Sequence, residues 1–255
     1  MERNQKQFLE IKNFINSTTC EKIKKEINKF NRFDDLVMSG RKRINKGSTN
    51  FTKFLKKSKN AGNFFNKINN LKFYKNINSM LGDVGNFNNT WSTNLKKIHY
   101  SRKIFGAQSG NKITSSNTNI KKNILYLDMD FSVSDRGYNR GPHRDRESRV
   151  INFLIYLNTL KKEDGGKLFF YKVKKRKNFR FPRFPNIKNL LVSKSIPAKK
   201  GVAIFFPSNP ESYHAVSKFK GKKVKKRYFI YGSFSLNKAV NWKKYKSYNA
   251  RAKKF

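Results

Sequence analysis

Residues 141–158, GPHRDRESRVINFLIYLN, join two different kinds of chain. A polar stretch with His143 and Asp145 two positions apart runs straight into a long apolar stretch. Alternate residues of an extended chain point to the same side, so this imidazole and this carboxylate can face one point. The strand that follows has two faces. Ile151, Phe153, Ile155 and Leu157 make one of them wholly apolar, and Val150, Asn152, Leu154 and Tyr156 make the other. The apolar face is expected to pack on helices, and the face with Asn152 and Tyr156 to line an interior where a ligand binds.

Similar short β-type runs recur on either side: ILYLDMDF (124–131), KLFFYKV (167–173), LLVSKSI (190–196), GVAIFF (201–206), YHAVSKF (213–219) and RYFIYGSFSL (227–236). Gly165-Gly166, Pro197, Gly201, Pro207 and Gly221 punctuate them. Many short strands with such turns predict a β-sandwich or barrel.

The region before Ile124 reads differently. Residues 7–30 predict a short strand, a cap and a helix, with Thr18 and Glu21 as a capping box and Cys20, Ile23, Ile27 and Phe30 at helical spacing. A second helix is expected over 63–81, with Phe64, Phe65, Ile68, Leu71 and Tyr74 on its apolar face. Residues 39–50, SGRKRINKGSTN, read as a basic loop, and the Gly/Ser/Asn-rich stretch 106–119 as a loop or disordered segment. The expectation is one domain: helical support over 1–123, a β core over 124–236 and a basic tail over 237–255.

Charge sets this chain apart. Fifty-nine basic residues against 15 acidic ones give a net charge of +44 over 255 residues. Two readings stand. One is a polyanionic partner such as nucleic acid or an anionic surface. The other is compositional drift in a chain rich in Lys, Asn, Ile, Phe and Tyr. Residues 171–189, which interleave Arg and Lys with Phe179, Phe181 and Phe184, fit a single-stranded nucleic-acid contact or a solvated insertion whose Phe and Pro pack down. With Cys20 as its lone cysteine the chain can form no internal disulfide, which suits a reducing compartment. The N-terminus has no apolar signal-peptide core, and no run approaches the length of a membrane span. The expectation is a soluble, cytoplasmic protein of unassigned oligomeric state.

The chain has three histidines: His99, His143 and His214. His143, Asp145 and the later-strand His214 would make a two-histidine, one-carboxylate set with open positions on a metal. His99 has no carboxylate near it in sequence and reads as structural or surface. Asp128 and Asp130 alternate with apolar residues and read as solvated; Arg144 and Arg146 flank the ligand pair and read as surface charges.

In these pieces the sequence resembles the Fe(II)/2-oxoglutarate-dependent dioxygenases, in their prolyl 4-hydroxylase-like branch. The likeness runs over about 124–236, in family order: GPHRD, INFLIYLN, EDGGKLFFY, IPAKKGVAIFF, YHAVSKF and KKRYFIYGSF. The resemblance implies a mainly β double-stranded β-helix, a cupin-like jelly roll, packed on N-terminal helices. It implies Fe(II) on His143, Asp145 and His214, with 2-oxoglutarate and O2 as cosubstrates and ascorbate as a candidate reductant. The implied reaction hydroxylates a C–H bond and releases succinate and CO2, on a peptidyl residue such as proline or on a small metabolite. The same chemistry on nucleic acid and a non-catalytic basic nucleic-acid-binding barrel are the alternatives. Arg227 would pair with the distal carboxylate of 2-oxoglutarate, with Tyr156 and Asn152 beside it. The thirteen positions from His214 to Arg227 exceed the family's usual spacing, which leaves Lys225 as a competitor. Tyr126 is a further candidate anchor.

Overall fold

The structure, a computed structural model, describes residues 6–37, 40–82, 98–102, 124–175 and 179–236. The stretch 106–119 and the basic tail 237–255 lie outside the described residues.

Helix α1 (Ser17–Phe30) buries Cys20, Ile23 and Ile27. Its cap is Asn16, whose side chain accepts from the Thr19 amide at 2.7 Å, and not Thr18. Asn is as good an N-cap as Ser, and starting the helix earlier leaves Glu21 free to pair with Lys200 at 3.2 Å. Helix α2 (Thr49–Lys57) follows the Ser48 cap. The single helix expected over 63–81 is two: α3 (Lys59–Ile68) and α4 (Leu71–Met80). The Asn70 side chain takes the Phe73 amide at 2.7 Å and so caps a new helix where one was expected to continue.

Seven expected strand runs all form strands: β5 (Ile124–Ser134), β7 (Arg149–Tyr156), β8 (Leu168–Val173), β9 (Leu190–Ile196), β10 (Ala203–Pro207), β11 (His214–Val216) and β12 (Arg227–Leu236). The stretch read as a basic loop is instead β3 (Arg41–Asn45), paired antiparallel with β5. The reason is charge compensation. Asp130, read as solvated, is buried and takes both oxygens to Arg41 Nη2, at 2.7 and 2.8 Å. Asp128 is likewise half-buried, 3.9 Å from Arg149. An arginine and an aspartate that look solvated separately are buried together.

With β1 (Leu9–Ile11), β2 (Asp35–Val37) and β4 (His99–Ser101), these strands make a mixed, β-rich fold with N-terminal helices. The large sheet runs β1-β10-β7-β12-β5-β3-β2, with β4 added parallel to β5. The small antiparallel sheet runs β6-β11-β8-β9, where β6 is Arg140–His143.

The two faces of β7 behave as their alternation predicts. Ile151, Phe153, Ile155 and Leu157 join the helices in the main core, and Phe153 meets Phe205 and Phe234 at 5.7 and 6.3 Å between ring centroids. Leu154 and Tyr156 face the interior with Leu168, Phe170 and Phe206. Val150 departs from the pattern and packs in the main core. A register shift there pairs Phe234 with Ile151 but Ser235 with Arg149, and such a bulge turns one residue over.

Candidate active site

Antiparallel pairing of β6 with β11 sets His143 directly opposite His214. Their ring centroids are 4.3 Å apart. Each ring is oriented by its own chain: His143 Nδ1 lies 2.8 Å from the Gly141 carbonyl and His214 Nδ1 lies 3.1 Å from that of Ser212. Those carbonyls accept hydrogen bonds from Nδ1, so both Nε2 atoms carry the lone pairs, and that of His143 accepts from Arg140 Nε at 3.4 Å. Asp145 completes the group: its Oδ2 is 3.5 Å from His214 Nε2. One ligand atom from each residue lies within 4.8 Å of the others, and all three residues are buried.

The histidines belong to the small sheet, but Asp145 is fastened to the large one. Tyr231 on β12 donates its hydroxyl proton to this carboxylate, 2.9 and 3.0 Å from its two oxygens. Arg149 at the start of β7 donates to the same carboxylate at 3.2 Å and also to the Tyr231 hydroxyl. Burial by itself would raise the Asp145 pKa. Arg149, His214, His143 and the Tyr231 hydrogen bond outweigh it and hold the carboxyl well below its usual range. Burial, reinforced by His214, lowers the His143 pKa to about 3, and burial lowers that of His214. Two neutral imidazoles and one carboxylate are the protonation states a divalent metal needs. The His143, Asp145 and His214 set is a facial triad suited to mononuclear Fe(II).

A cavity of about 450 Å³ opens over these residues and extends to Arg227. Arg227 is fully buried, and none of its three guanidinium nitrogens has a hydrogen-bond partner among the described residues. Three rings surround it: Phe229, Tyr156 and Tyr138, at 4.2, 5.5 and 5.6 Å from Cζ. The Tyr156 hydroxyl is also buried without a partner; it is close enough to feel the Arg227 charge, but no hydrogen bond of good geometry joins them. Asn152 is buried with both amide atoms unpaired, yet it is not among the residues that line the cavity. An unpaired buried guanidinium beside a metal triad fits a cosubstrate that ends in a carboxylate.

The unusual spacing before Arg227 has a local explanation. The Asp164 carboxylate accepts the amides of Lys223, Val224 and Lys161 at 2.6, 3.0 and 3.0 Å, which ties the long hairpin to the Gly165-Gly166 turn. A Cβ on Gly165 would lie 2.2 Å from the Lys218 carbonyl, and both glycines have positive φ. The competitor Lys225 is exposed. His99 is exposed on β4. Tyr126 is buried beside Lys46 and does not line the cavity. Arg144, read as a surface charge, is instead 1% exposed and bonded to Glu147 at 2.8 Å; Arg146 lines the cavity.

Sequence reading missed Tyr231 and Arg149. Strand parity could have found the first, because Arg227, Phe229 and Tyr231 share a face. Nothing in the spacing of Arg149 marks it out.

Residues 129–234 match the family described as the 2OG-Fe(II) oxygenase superfamily. A prolyl-4-hydroxylase from Pseudomonas putida superposes with a TM-score of 0.50 at 12% identity, covering 90% of this chain and 92% of that one. A viral collagen prolyl hydroxylase from Paramecium Bursaria Chlorella virus-1 gives 0.46 at 13% identity, covering 92% and 99%. At 12% identity the likeness to the Pseudomonas putida enzyme is one of fold. No curated protein matches the sequence. No helix among the described residues is long and apolar enough to cross a membrane. Over residues 129–234 the chain is similar to the 2OG-Fe(II) oxygenase superfamily, and the triad within that stretch suits the chemistry of a 2-oxoglutarate-dependent, non-haem iron oxidoreductase.

Proposed function

We propose that this protein belongs to the 2OG-Fe(II) oxygenase superfamily and hydroxylates a C–H bond of its substrate while 2-oxoglutarate is converted to succinate and CO2. In this reading the two sheets are the halves of a double-stranded β-helix, and the reaction takes place between them. His143, Asp145 and His214 hold Fe(II), and Arg227 receives the distal carboxylate of 2-oxoglutarate. When bound, the metal supplies activation of O2. The protein's own part is positional. The Gly141 and Ser212 carbonyls fix the two imidazoles, Tyr231 and Arg149 fix the carboxylate, and apolar walls such as Leu154, Leu168 and Phe206 exclude water.

The observation that carries the reading is Arg227: a buried cation with three unpaired nitrogens in the cavity that holds the triad. A buried charge left alone costs several kcal/mol, roughly, and a carboxylate removes that cost. The test is anaerobic titration of the protein with Fe(II) and then 2-oxoglutarate. The expected result is a weak visible charge-transfer band that is lost in His214→Ala. Folded wild-type protein that never develops the band would overturn the reading and leave a basic binding barrel in its place.

A further inference from the structure

The cavity wall holds a buried cation that the proposed chemistry leaves idle. Lys46, just past the end of β3, is 2% exposed and lines the cavity. It fills a gap in the large sheet. β3 pairs with β5 only as far as Asp130, and β4 pairs with it only from Ile124 to Tyr126. Between them the Lys46 amide donates to the Met129 carbonyl at 2.8 Å, and the ammonium reaches back to donate to the Leu127 carbonyl. The side chain therefore runs alongside residue 128. Its ammonium lies over the rings of Phe65 and Tyr126, 5.7 and 5.9 Å from their centroids. An ammonium has three N–H donors; among the described residues only the Leu127 carbonyl accepts one, and no carboxylate is ion-paired with it. Burial lowers its pKa to about 8, and the charge of Asp128 offsets only part of that, so Lys46 is still a cation at neutral pH.

Asp128 presents the opposite charge to the same space. Its side chain is 25% exposed and lines the cavity. Among the described residues it is ion-paired only with Arg149, at 3.9 Å, and accepts no hydrogen bond. Burial raises its pKa, against the charges of Arg149 and Lys46. Strand register sets this pair opposite Arg227. On β5, Ser134 pairs with Arg227, Asp130 with Tyr231 and Asp128 with Ser233, and Tyr231 holds Asp145. Alternate residues share a face, so Arg227 lies to one side of the triad's carboxylate and Asp128 to the other. Arg149 joins the near side to the triad, 3.9 Å from Asp128 and 3.2 Å from Asp145.

We propose that the substrate is a free α-amino acid, its carboxylate received by Lys46 and its ammonium by Asp128. This rests on the iron and 2-oxoglutarate reading for its chemistry. A zwitterion satisfies both groups at once: its carboxylate supplies the acceptors that the Lys46 ammonium lacks, and its ammonium the donors that Asp128 lacks. A simple anion would satisfy Lys46 and be repelled by Asp128. The cosubstrate at Arg227 and the amino acid at Lys46 and Asp128 then approach the triad from opposite sides, and the amino acid's side chain is the part left to meet it.

The test is saturation-transfer NMR of the full, metal-free chain with a mixture of the twenty common L-amino acids, in excess 2-oxoglutarate so that Arg227 is occupied. Most of these are zwitterions without net charge, which the basic surface of the protein does not hold. At least one is expected to bind. Calorimetry should then show its free form binding at least about 10-fold more tightly than its amide, which lacks the carboxylate, or its N-acetyl derivative, which lacks the ammonium; each loses one charge-assisted hydrogen bond. Asp128→Asn, which keeps the shape of the side chain, and Lys46→Met should each weaken the free form by a similar factor. If Lys46→Met does not fold, the two derivatives on the wild-type chain decide. Binding of none of the twenty, a derivative that binds as tightly as the free form, or affinity unmoved by Asp128→Asn would overturn the proposal. The charge-transfer band of the wild-type protein is scored separately. Its absence sinks the iron reading; its presence without amino-acid binding at Lys46 and Asp128 sinks only the substrate.

Discussion

The two ends of the cavity are built on opposite terms. At the triad end the protein has answered its own charges: Asp145 meets Tyr231, Arg149 and His214. At the other end, among the described residues, the Arg227 guanidinium lies over rings with no hydrogen-bond partner, and the Tyr156 hydroxyl beside it has none either. Cation–π contacts return about 0.5–2 kcal/mol each, which is less than an unpaired buried charge costs. The difference separates two jobs. Metal ligands must be oriented before the metal arrives, so their surroundings are complete. On the function proposed above, a cosubstrate carboxylate brings its own charge, so the pocket around Arg227 is left incomplete and the fold bears the cost until it binds.

The sharpest way to break this comparison is to remove one charge from each end. Asp145→Ala should abolish Fe(II) binding. It should also destabilise the ligand-free protein, by up to about 3 kcal/mol, because the largely buried Arg149 is left with only Asp128, 3.9 Å away, as counter-charge. Arg227→Met should do the reverse. Ligand-free stability should hold or rise, by up to about 4 kcal/mol, while the KM for 2-oxoglutarate rises by roughly two orders of magnitude, the loss of one charge-assisted pair. Urea denaturation without ligands reads the first quantity and steady-state kinetics the second. If Arg227→Met unfolds as readily as Asp145→Ala, the two ends are alike and the argument fails.

A smaller change sharpens the triad end alone. Tyr231→Phe keeps the ring and removes the donor to Asp145. Partners that orient a ligand are worth about 10–100-fold in metal affinity, so Fe(II) binding should weaken by that factor and the KM for 2-oxoglutarate should move little. Anaerobic calorimetry with Fe(II) measures it. Unchanged affinity would mean that Arg149 alone positions the carboxylate.

Much of this was legible in the sequence because it follows from periodicity. Strand alternation placed the inward and outward faces of β7, and all seven β-type runs became strands. The His143, Asp145 and His214 group was readable because histidine is so scarce here. What the sequence hid was pairing across distance. Arg41 and Asp130 are 89 positions apart, and each looked solvated until the other was seen. Tyr231 and Asp145 are 86 apart. Val150 turned over because a bulge broke the alternation, and Asn70 ended a helix that the apolar pattern would have carried through. Local rules read local structure; charge compensation and bulges are decided by the partner strand.

The least severe test touches the support behind Arg227. Asp164 accepts three backbone amides from the turn and the hairpin. Burial raises its pKa, but the amides of Val224, Lys223 and Lys161 outweigh that and bring it below the ordinary value. A carboxylate with a depressed folded pKa contributes stability in full above its unfolded pKa of about 3.9, and that contribution is lost as the pH falls through the folded value. Asp164→Asn should therefore cost about 1.5–3 kcal/mol at neutral pH, the worth of a charged acceptor. The gap to wild type should close below pH of about 4. Because the same hairpin delivers Arg227, the variant should also raise the KM for 2-oxoglutarate a few-fold and leave Fe(II) affinity alone. Denaturation midpoints across pH, paired with Fe(II) and 2-oxoglutarate titrations, separate these outcomes. A loss of Fe(II) affinity in this variant would mean that the two ends are mechanically one, and the division of labour between them would have to be abandoned.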